Sequence, residues 1–407
     1  MSSTKMPGEF QLIQHLQTIL AQPMSAPIPR MAGEGQVILG IGDDCAVLEG
    51  AGGKYLLVTT DMLVEDVHFS RAYSSLREIG QKAMIVNISD IAAMAGEPRF
   101  AFISLALPAS FSLEDFDELW QGMAEVAQKY SLLILGGDTN ASFPRLKEHG
   151  LVINITLIGD VWPHGLISRQ GASPGDLILL TGQVGDSAAG LDLLQSYGEH
   201  SGVTAHSGCG FPQAGYIQPL EDNIDLPSAQ EGSPGCLHDI HYLQDIRYQQ
   251  ALQRHRVPVI RLAESRIIGQ HHLATAMIDV SDGLAGDLRH LCNQSHLIHQ
   301  GQQGSVGAIL WSDRIPISGA VTEIARLLQN PALSYALCGG EDYELLFTAP
   351  PDLADKARQM IEQETGTQVS IIGKITEETK GIYLIDTYGQ TIPITESGFD
   401  HFRKEKR

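Results

Sequence analysis

The sequence predicts an α/β or α+β protein of two domains. Apolar runs patterned like strands alternate along the chain with stretches of helical period. The chain has 407 residues, more than one hydrophobic core commonly serves. A Gly/Pro/Ser connection, SRQGASPGD at 168–176, separates two halves of similar pattern. Units of 1–165 and 166–407 follow. With 43% hydrophobic and 18% charged residues, the composition is that of a globular chain rather than a disordered one.

In the first half, QVILGIG (36–42) and KYLLVTTDM (54–62) read as strands. LREIGQKAMIVNISDIAAMAG (76–96) reads as a helix with its polar residues gathered at its ends. RFAFISLALP is a strand closed by Pro108. The next helix, 112–130, is amphipathic, with Ser112 as N-cap and Asp115 in the capping-box position. SLLILGGD (131–138) reads as a buried strand ending in a glycine turn, and LVINITLIGDV (151–161) as a further strand.

Beyond the connection the alternation resumes. Strands are expected at DLILLTG, TAMIDVSD, VGAILW, EDYELLFTAP and QVSIIGKI. Helices are expected at GDSAAGLDLL, HRVPVIRLAE, GLAGDLRHLC, SGAVTEIARLLQ and PDLADKARQMIEQETG. Residues 198–245 are rich in Gly, Pro, Ser and His and have no sustained period, so they read as a long loop or mobile insertion. Their His and Cys spacings match no zinc pattern. A faint echo links the halves: NISDIAAMAG then LGGDT in one, DVSDGLAGDL then CGGEDYE in the other.

The net charge of −21 argues against a non-specific nucleic-acid binder, which needs a basic footprint. A phosphate-bearing ligand would need cations to offset repulsion. Five cysteines without a CxxC fit a reducing, cytoplasmic compartment. The first twenty residues lack the features of a signal peptide, and no apolar stretch approaches the roughly 18 residues that span a bilayer.

The acidic residues follow a pattern. Asp44 follows QVILGIG, Asp61 follows YLLVTT, Asp138 follows LLILGG, and Asp279 and Asp282 close TAMI and DVS. Asp90 lies in the helical NISDIAAM. Any one of these reads most simply as a turn former or helix cap; Asp160, Asp186 and Asp287 are read that way. Six in related contexts suggest carboxylates gathered beyond strand ends, where ligands bind in open α/β sheets. Such a cluster needs shared cations, and Mg²⁺ favours carboxylate, water and phosphate oxygens. Thr59 and Thr60 add oxygens beside Asp61. Gly136 and Gly137 would admit a phosphate close to the backbone. Arg169 reads as a phosphate contact or a surface ion pair, His68 as a substrate contact or a half-buried histidine, and Lys82 as a solvated side chain. P-loop, dinucleotide and protein-kinase signatures are missing, so ATP use would have to run through carboxylate-held metal. A non-catalytic divalent-cation-binding protein is the alternative from another class.

GIGDDCAVL, TTDMLVEDVHF, NISDIAAMAGEP, LGGDT, SRQGASPGD, GDSAAGL, IDVSDGL, GGEDYELLFT and the terminal GFDHF occur in this order. Together they resemble the thiamine-monophosphate kinase family, within the aminoimidazole ribonucleotide synthetase-like superfamily. MAGEP departs slightly from that family's pattern, and 198–245 stands as an addition to it. Other ATP-using members of the superfamily share the Asp-rich logic but not GGEDYEL followed by GFDHF.

The resemblance implies ATP-dependent phosphorylation of thiamine monophosphate to thiamine diphosphate. It implies an N-terminal domain that binds ATP and Mg²⁺ and whose strands form a barrel across a homodimer, followed by a C-terminal α/β domain. Carried over by position, Asp44, Thr59, Thr60, Asp61, Asp90, Asp138, Asp279 and Asp282 are implied as ligands of several Mg²⁺ ions. Gly137, Asp138, Arg169 and Ser281 are implied as ATP contacts, and His68, Glu341 and Phe399 as substrate contacts. Asp43 is left as a residue that orients its neighbour. No general base is expected, because an acceptor phosphate oxygen is already ionised.

Overall fold

The computed structural model describes residues 36–142, 150–200, 244–299, 302–377 and 381–395. Most of the expected insertion and Phe399 therefore lie outside the described residues. Two mixed sheets form the frame.

The first sheet has six strands: β1 (Val37–Leu39), β2 (Ala46–Glu49), β3 (Tyr55–Val64), β4 (Glu97–Leu107), β5 (Leu133–Ala141) and β6 (Val152–Val161). Their order across the sheet is β1-β2-β3-β6-β4-β5, and only the β4–β5 pair is parallel. β6 shows the two-residue burial alternation of a strand with one covered face. The covering element is helix α1 (Leu76–Ala93), opened by a capping box between Ser75 and Glu78. α1 is buried nearly all round because it packs against this sheet, the neighbouring helix and the second half of the chain. Helix α2 (Leu113–Lys129) carries the expected Ser112–Asp115 capping box and buries Leu119, Met123, Val126 and Ala127. Gly80 and Gly122 set the α1–α2 distance: a Cβ on either would meet the other helix's backbone within 2.2 Å.

One expectation fails here. The run at 131–138 is buried on one face only: Leu132 is 4% exposed and Ile134 packs against the core, whereas Leu133 and Leu135 are 59% and 55% exposed. Among the described residues β5 is an edge strand paired with β4, and Leu133 lies in the outer-face row of Phe100 while Ile134 lies in the inner row of Ala101.

The second half continues with β7 (Leu177–Thr181), α3 (Asp186–His200), α4 (Ile246–Arg256), α5 (Leu262–Gln270), β8 (Ala276–Asp279) and α6 (Leu284–Gln294). Then come β9 (His296–His299), β10 (Gln302–Ser305), β11 (Gly307–Trp311), α7 (Gly319–Leu328), α8 (Ala332–Cys338) and β12 (Leu345–Ala349). The last elements are α9 (Pro351–Thr365), β13 (Val369–Thr376), β14 (Ile382–Ile385) and β15 (Thr391–Ile394). β9 and β10 pair as a separate hairpin, and the rest form a seven-stranded sheet ordered β15-β14-β11-β13-β7-β12-β8.

β7 lies inside this sheet with both faces covered, which explains its unbroken LILLT run. Ile178 and Leu180 face one core with α6, whereas Leu179 faces another with α5 and α9. HRVPVIRLAE is only partly the expected helix, since its first residues end α4, Val257–Arg261 connect, and α5 begins at Leu262. The core of the first half extends into the second through Ile260, Leu262 and Tyr343. The site lies along this junction.

Candidate active site

Three carboxylates from three parts of the chain meet. Oxygens of Asp44, Asp90 and Asp279 lie within 4.8 Å of one another. Asp44 is in the turn between β1 and β2, Asp90 is in the last turns of α1, and Asp279 ends β8. Each is steadied by a neighbour. Thr59 donates a short hydrogen bond to Asp90 Oδ2. Ser89 Oγ donates to Asp279 Oδ2 at 2.6 Å. Arg169 Nη2 donates to Asp44 Oδ1 at 2.5 Å. Asp43 accepts the backbone N–H of Asp44 at 3.0 Å and that of Arg169 at 3.2 Å, an orienting position.

Charge is in excess here. Burial, then the charges of Asp61, Asp279 and Asp44, push the Asp90 carboxyl well above the ordinary range. Burial and the Asp44 charge raise Asp279 to about 8, against the Ser89 hydrogen bond and Arg169. Burial and Asp44 raise Asp43 to about 6. Mutual repulsion of this kind is what a bound cation relieves. Asp44 Oδ2 is buried and has no hydrogen-bond partner among the described residues. An orphaned carboxylate oxygen beside two others is a hard-oxygen donor set of the kind that suits Mg²⁺.

Strand register sorts the remaining expected ligands. Asp61, Ile155, Ile103 and Gly137 lie in one row across the first sheet, on the inner face with Thr59. Asp61 acts on Asp90 and Asp279 electrostatically, and its N–H donates to Asn87 Oδ1 at 3.2 Å. It sits in the middle of the ten-residue β3, not at a strand end, because MLV continues the pairing with β6.

Thr60 lies on the other face, where its hydroxyl meets Thr156 Oγ1 at 3.1 Å. Asp138 is in the row of Met62, Asn154 and Ser104, also on that outer face. It is exposed, and it accepts Thr139 N–H at 2.9 Å and Asn140 Nδ2 at 2.7 Å. The side chains of Thr60 and Asp138 are thus apart from the three-carboxylate cluster. Gly137 has a packing reason of its own, since a Cβ there would lie 1.6 Å from Ile103 O.

Asp282 and Ser281 are half-buried after β8. The N–H groups of Asp282 and Gly283 donate to Asp287 Oδ2, both at 3.1 Å, so Asp287 caps the start of α6. Asp160 does otherwise than expected: it is paired with Lys54 and Arg99.

Glu341 approaches from the loop before β12, with a left-handed φ of 65°. Its N–H donates to Ser281 O at 2.7 Å. The other acids of this loop are engaged in structure. Asp342 accepts the N–H groups of Gly185 and Ser187 at the start of α3, and Glu344 accepts from Thr181 and Arg261.

Lys82, expected in solvent, is 2% exposed. It reaches Glu341 Oε2 at 3.0 Å and the carbonyl of His68 at 2.8 Å. The closure of the two halves over α1 buries it. His68 Nδ1 accepts Val64 N–H at 3.0 Å, which ties the ring to the end of β3. His255, unread in the sequence, is 2% exposed with Nδ1 3.4 Å from Glu341 Oε2. Its place in a helical run after 198–245 gave no local signal. The same holds for Ser89, although its seven-residue spacing from Lys82 marks a shared helix face.

Residues 42–161 match the family described as AIR synthase related protein, N-terminal domain. The chain is 31% identical over 378 residues to the thiamine-monophosphate kinase of Bacillus subtilis (strain 168), covering 92% of this chain and 97% of that one. It belongs to the thiamine-monophosphate kinase family. The family's Escherichia coli (strain K12) member is 30% identical over 371 residues, covering 90% of this chain and 92% of that one. Among solved structures, AaThiL complexed with AMPPCP and TMP is 26% identical, with a TM-score of 0.69 and coverage of 98% of this chain and 100% of that one. Among the described residues, no helix is long and apolar enough to cross a membrane.

Proposed function

We propose that this family member transfers the terminal phosphoryl group of ATP to thiamine monophosphate, giving thiamine diphosphate and ADP. One observation carries the reading: the meeting of Asp44, Asp90 and Asp279 carboxylates, with Asp44 Oδ2 unpartnered, beside Arg169. The solved AaThiL complex with AMPPCP and TMP supports both ligands.

The chemistry explains the residues. The acceptor phosphate carries roughly −1.5 to −2 charges at neutral pH, so its oxygen attacks without a general base. The barrier is the approach of two polyanions in line, which is a matter of positioning and neutralisation. Several Mg²⁺ ions, when bound, supply that neutralisation. Asp44, Asp90 and Asp279 would hold them, with Asp61 and Thr59 on the same face and Asp282 at the start of α6. The ligand roles of Thr60 and Asp138 rest on the sequence resemblance. Arg169, Ser281 and Gly137 are the proposed nucleotide contacts. His68, Glu341 and Phe399 are the proposed contacts for the thiamine moiety.

We assign nucleotide and metal binding mainly to 1–165, with 166–407 completing the site. A homodimer is proposed through the outer face of the first sheet. There Met62, Phe100, Phe102 and Leu133 are 56%, 38%, 40% and 59% exposed, apolar side chains that a second copy would cover. Light scattering tests this, and a monomer at micromolar concentration would count against it. The free thiols of Cys45, Cys292 and Cys338 support a reducing, cytoplasmic setting.

A panel of acceptors tests the activity. Thiamine monophosphate should support ADP release and thiamine diphosphate formation. ADP release with another phosphate monoester, and none with thiamine monophosphate, would overturn the assignment.

A further inference from the structure

We propose that Lys82 is a positioning residue for the acceptor: its ammonium clasps His68 to Glu341 and leaves one Glu341 oxygen to receive a cationic, amino-bearing heterocycle. The proposal deepens the reading of thiamine monophosphate as acceptor and rests on it.

The geometry begins with burial. A lysine ammonium out of water is costly unless its donors are used. Lys82 has 2% exposure and two partners, one from each half of the chain. His68 O, 14 residues before it, lies at 2.8 Å, and Glu341 Oε2, 259 residues after it, lies at 3.0 Å. These are two of the residues proposed to touch the thiamine moiety, and one ammonium joins them across the junction of the two halves.

Glu341 is fixed further. His255 Nδ1 approaches the same Oε2 at 3.4 Å and Ser187 Oγ at 3.1 Å. The His255 ring lies 5.7 Å from that of Tyr73, and its Nε2 is buried without a partner among the described residues. Lys82 and His255 both take Oε2, so neither occupies Oε1. The Glu341 side chain is 23% exposed against 2% for Lys82, making it the open end of this network. Its backbone is held in the left-handed region by the bond to Ser281 O.

Burial would raise the Glu341 carboxyl, but Lys82 and then His255 outweigh it and hold it at about 2. The carboxylate stays an acceptor, suited to an amino group or a cation. Burial and the Lys82 charge hold His255 below its ordinary value, so the clasp does not depend on a charged imidazole.

A buried ion pair that only fastened the two halves would affect both substrates alike. The test is steady-state kinetics of thiamine diphosphate formation by the full-length protein with Mg²⁺. Lys82→Met should raise the KM for thiamine monophosphate roughly 10- to 100-fold, as expected for a lost charged hydrogen bond. The KM for ATP should stay within about twofold. Glu341→Gln, which keeps the shape, should show the same split and serves as the measure if Lys82→Met does not fold. The double variant should lose clearly less than the product of the two single losses, because Lys82 and Glu341 act on the acceptor as one unit. A parallel rise in both KM values, losses that multiply in the double variant, or an unaffected Glu341→Gln would each overturn the proposal. An unmodified protein that fails to turn over thiamine monophosphate would overturn the functional reading and this proposal with it.

Discussion

Arg169 and Asp44 stand 125 residues apart in the chain, yet Arg169 Nη2 sits 2.5 Å from Asp44 Oδ1. The guanidinium arises in the connection between the halves, and its side chain is mostly buried at 19% exposure. It is an internal counter-ion for Asp43 and Asp44. Arg169→Gln should therefore lower the melting temperature of the protein in EDTA and do so much less in saturating Mg²⁺. If Arg169 also meets nucleotide phosphate, the KM for ATP should rise about tenfold or more. A variant with wild-type melting in EDTA would show that the pair contributes nothing to the metal-free state.

Asp90 and Asp279 should show opposite effects on stability and turnover. Asp279→Asn and Asp90→Asn remove a repelling charge from a crowded site, so each should raise the metal-free melting temperature near pH 8. The same substitutions should lower kcat by about a hundredfold or more, because the cation site loses a ligand. Calorimetry beside turnover measurements checks both halves. Lower melting together with normal turnover would remove either residue from the proposed site.

The raised carboxyls predict a pH trend. Asp43 at about 6 and Asp279 at about 8 both lie above the ordinary 3.8, so the folded protein binds more protons than the unfolded chain between those values. Their contribution to stability is full below the unfolded value and is lost as pH rises through the folded ones. Between about pH 5 and about pH 8 the metal-free protein should become less stable, and Mg²⁺ should restore most at the upper end. A melting temperature in EDTA that climbs steadily over this range would contradict the crowded-carboxylate description.

Adjacent threonines give a sharper contrast. Thr59 donates to Asp90 on the inner face, whereas Thr60 meets Thr156 on the outer one. Thr59→Val should reduce turnover by roughly tenfold, about the worth of a hydrogen bond to a charged group. Thr60→Val should leave it within about threefold, because any ligand atom it offers the inner site is its carbonyl. The reverse ranking would mean that the inner face is not where the chemistry occurs.

Legibility in the sequence followed locality. The Ser112–Asp115 capping box, the unbroken run of β7 and the alternation of β6 depend on neighbours within a few residues, and the structure has each of them. The edge position of β5 depends on which strands pair, so its apolar run was misleading. β2, α8, β14 and β15 are too short for a periodic signal. Asp44, Asp90 and Asp279 were read only within a group of six aspartates, and singling out the three that meet required the fold. The division between Thr59 and Thr60 was readable in principle, since strand side chains alternate. Placing Asp138 on the outer face required the register of β4, β5 and β6. Lys82 was invisible because Glu341 belongs to the other half of the chain, and His255 because its partners Glu341 and Ser187 lie on distant elements of its own half.

The most direct measurement is thiamine diphosphate formation from ATP and thiamine monophosphate while Mg²⁺ is titrated from zero, with unmodified protein and Asp279→Asn in parallel. Formation should be undetectable in EDTA, rise steeply with Mg²⁺, and require far more metal or fail altogether in Asp279→Asn. Undiminished formation in EDTA, or superimposable Mg²⁺ curves for the two proteins, would contradict a carboxylate-held cation site.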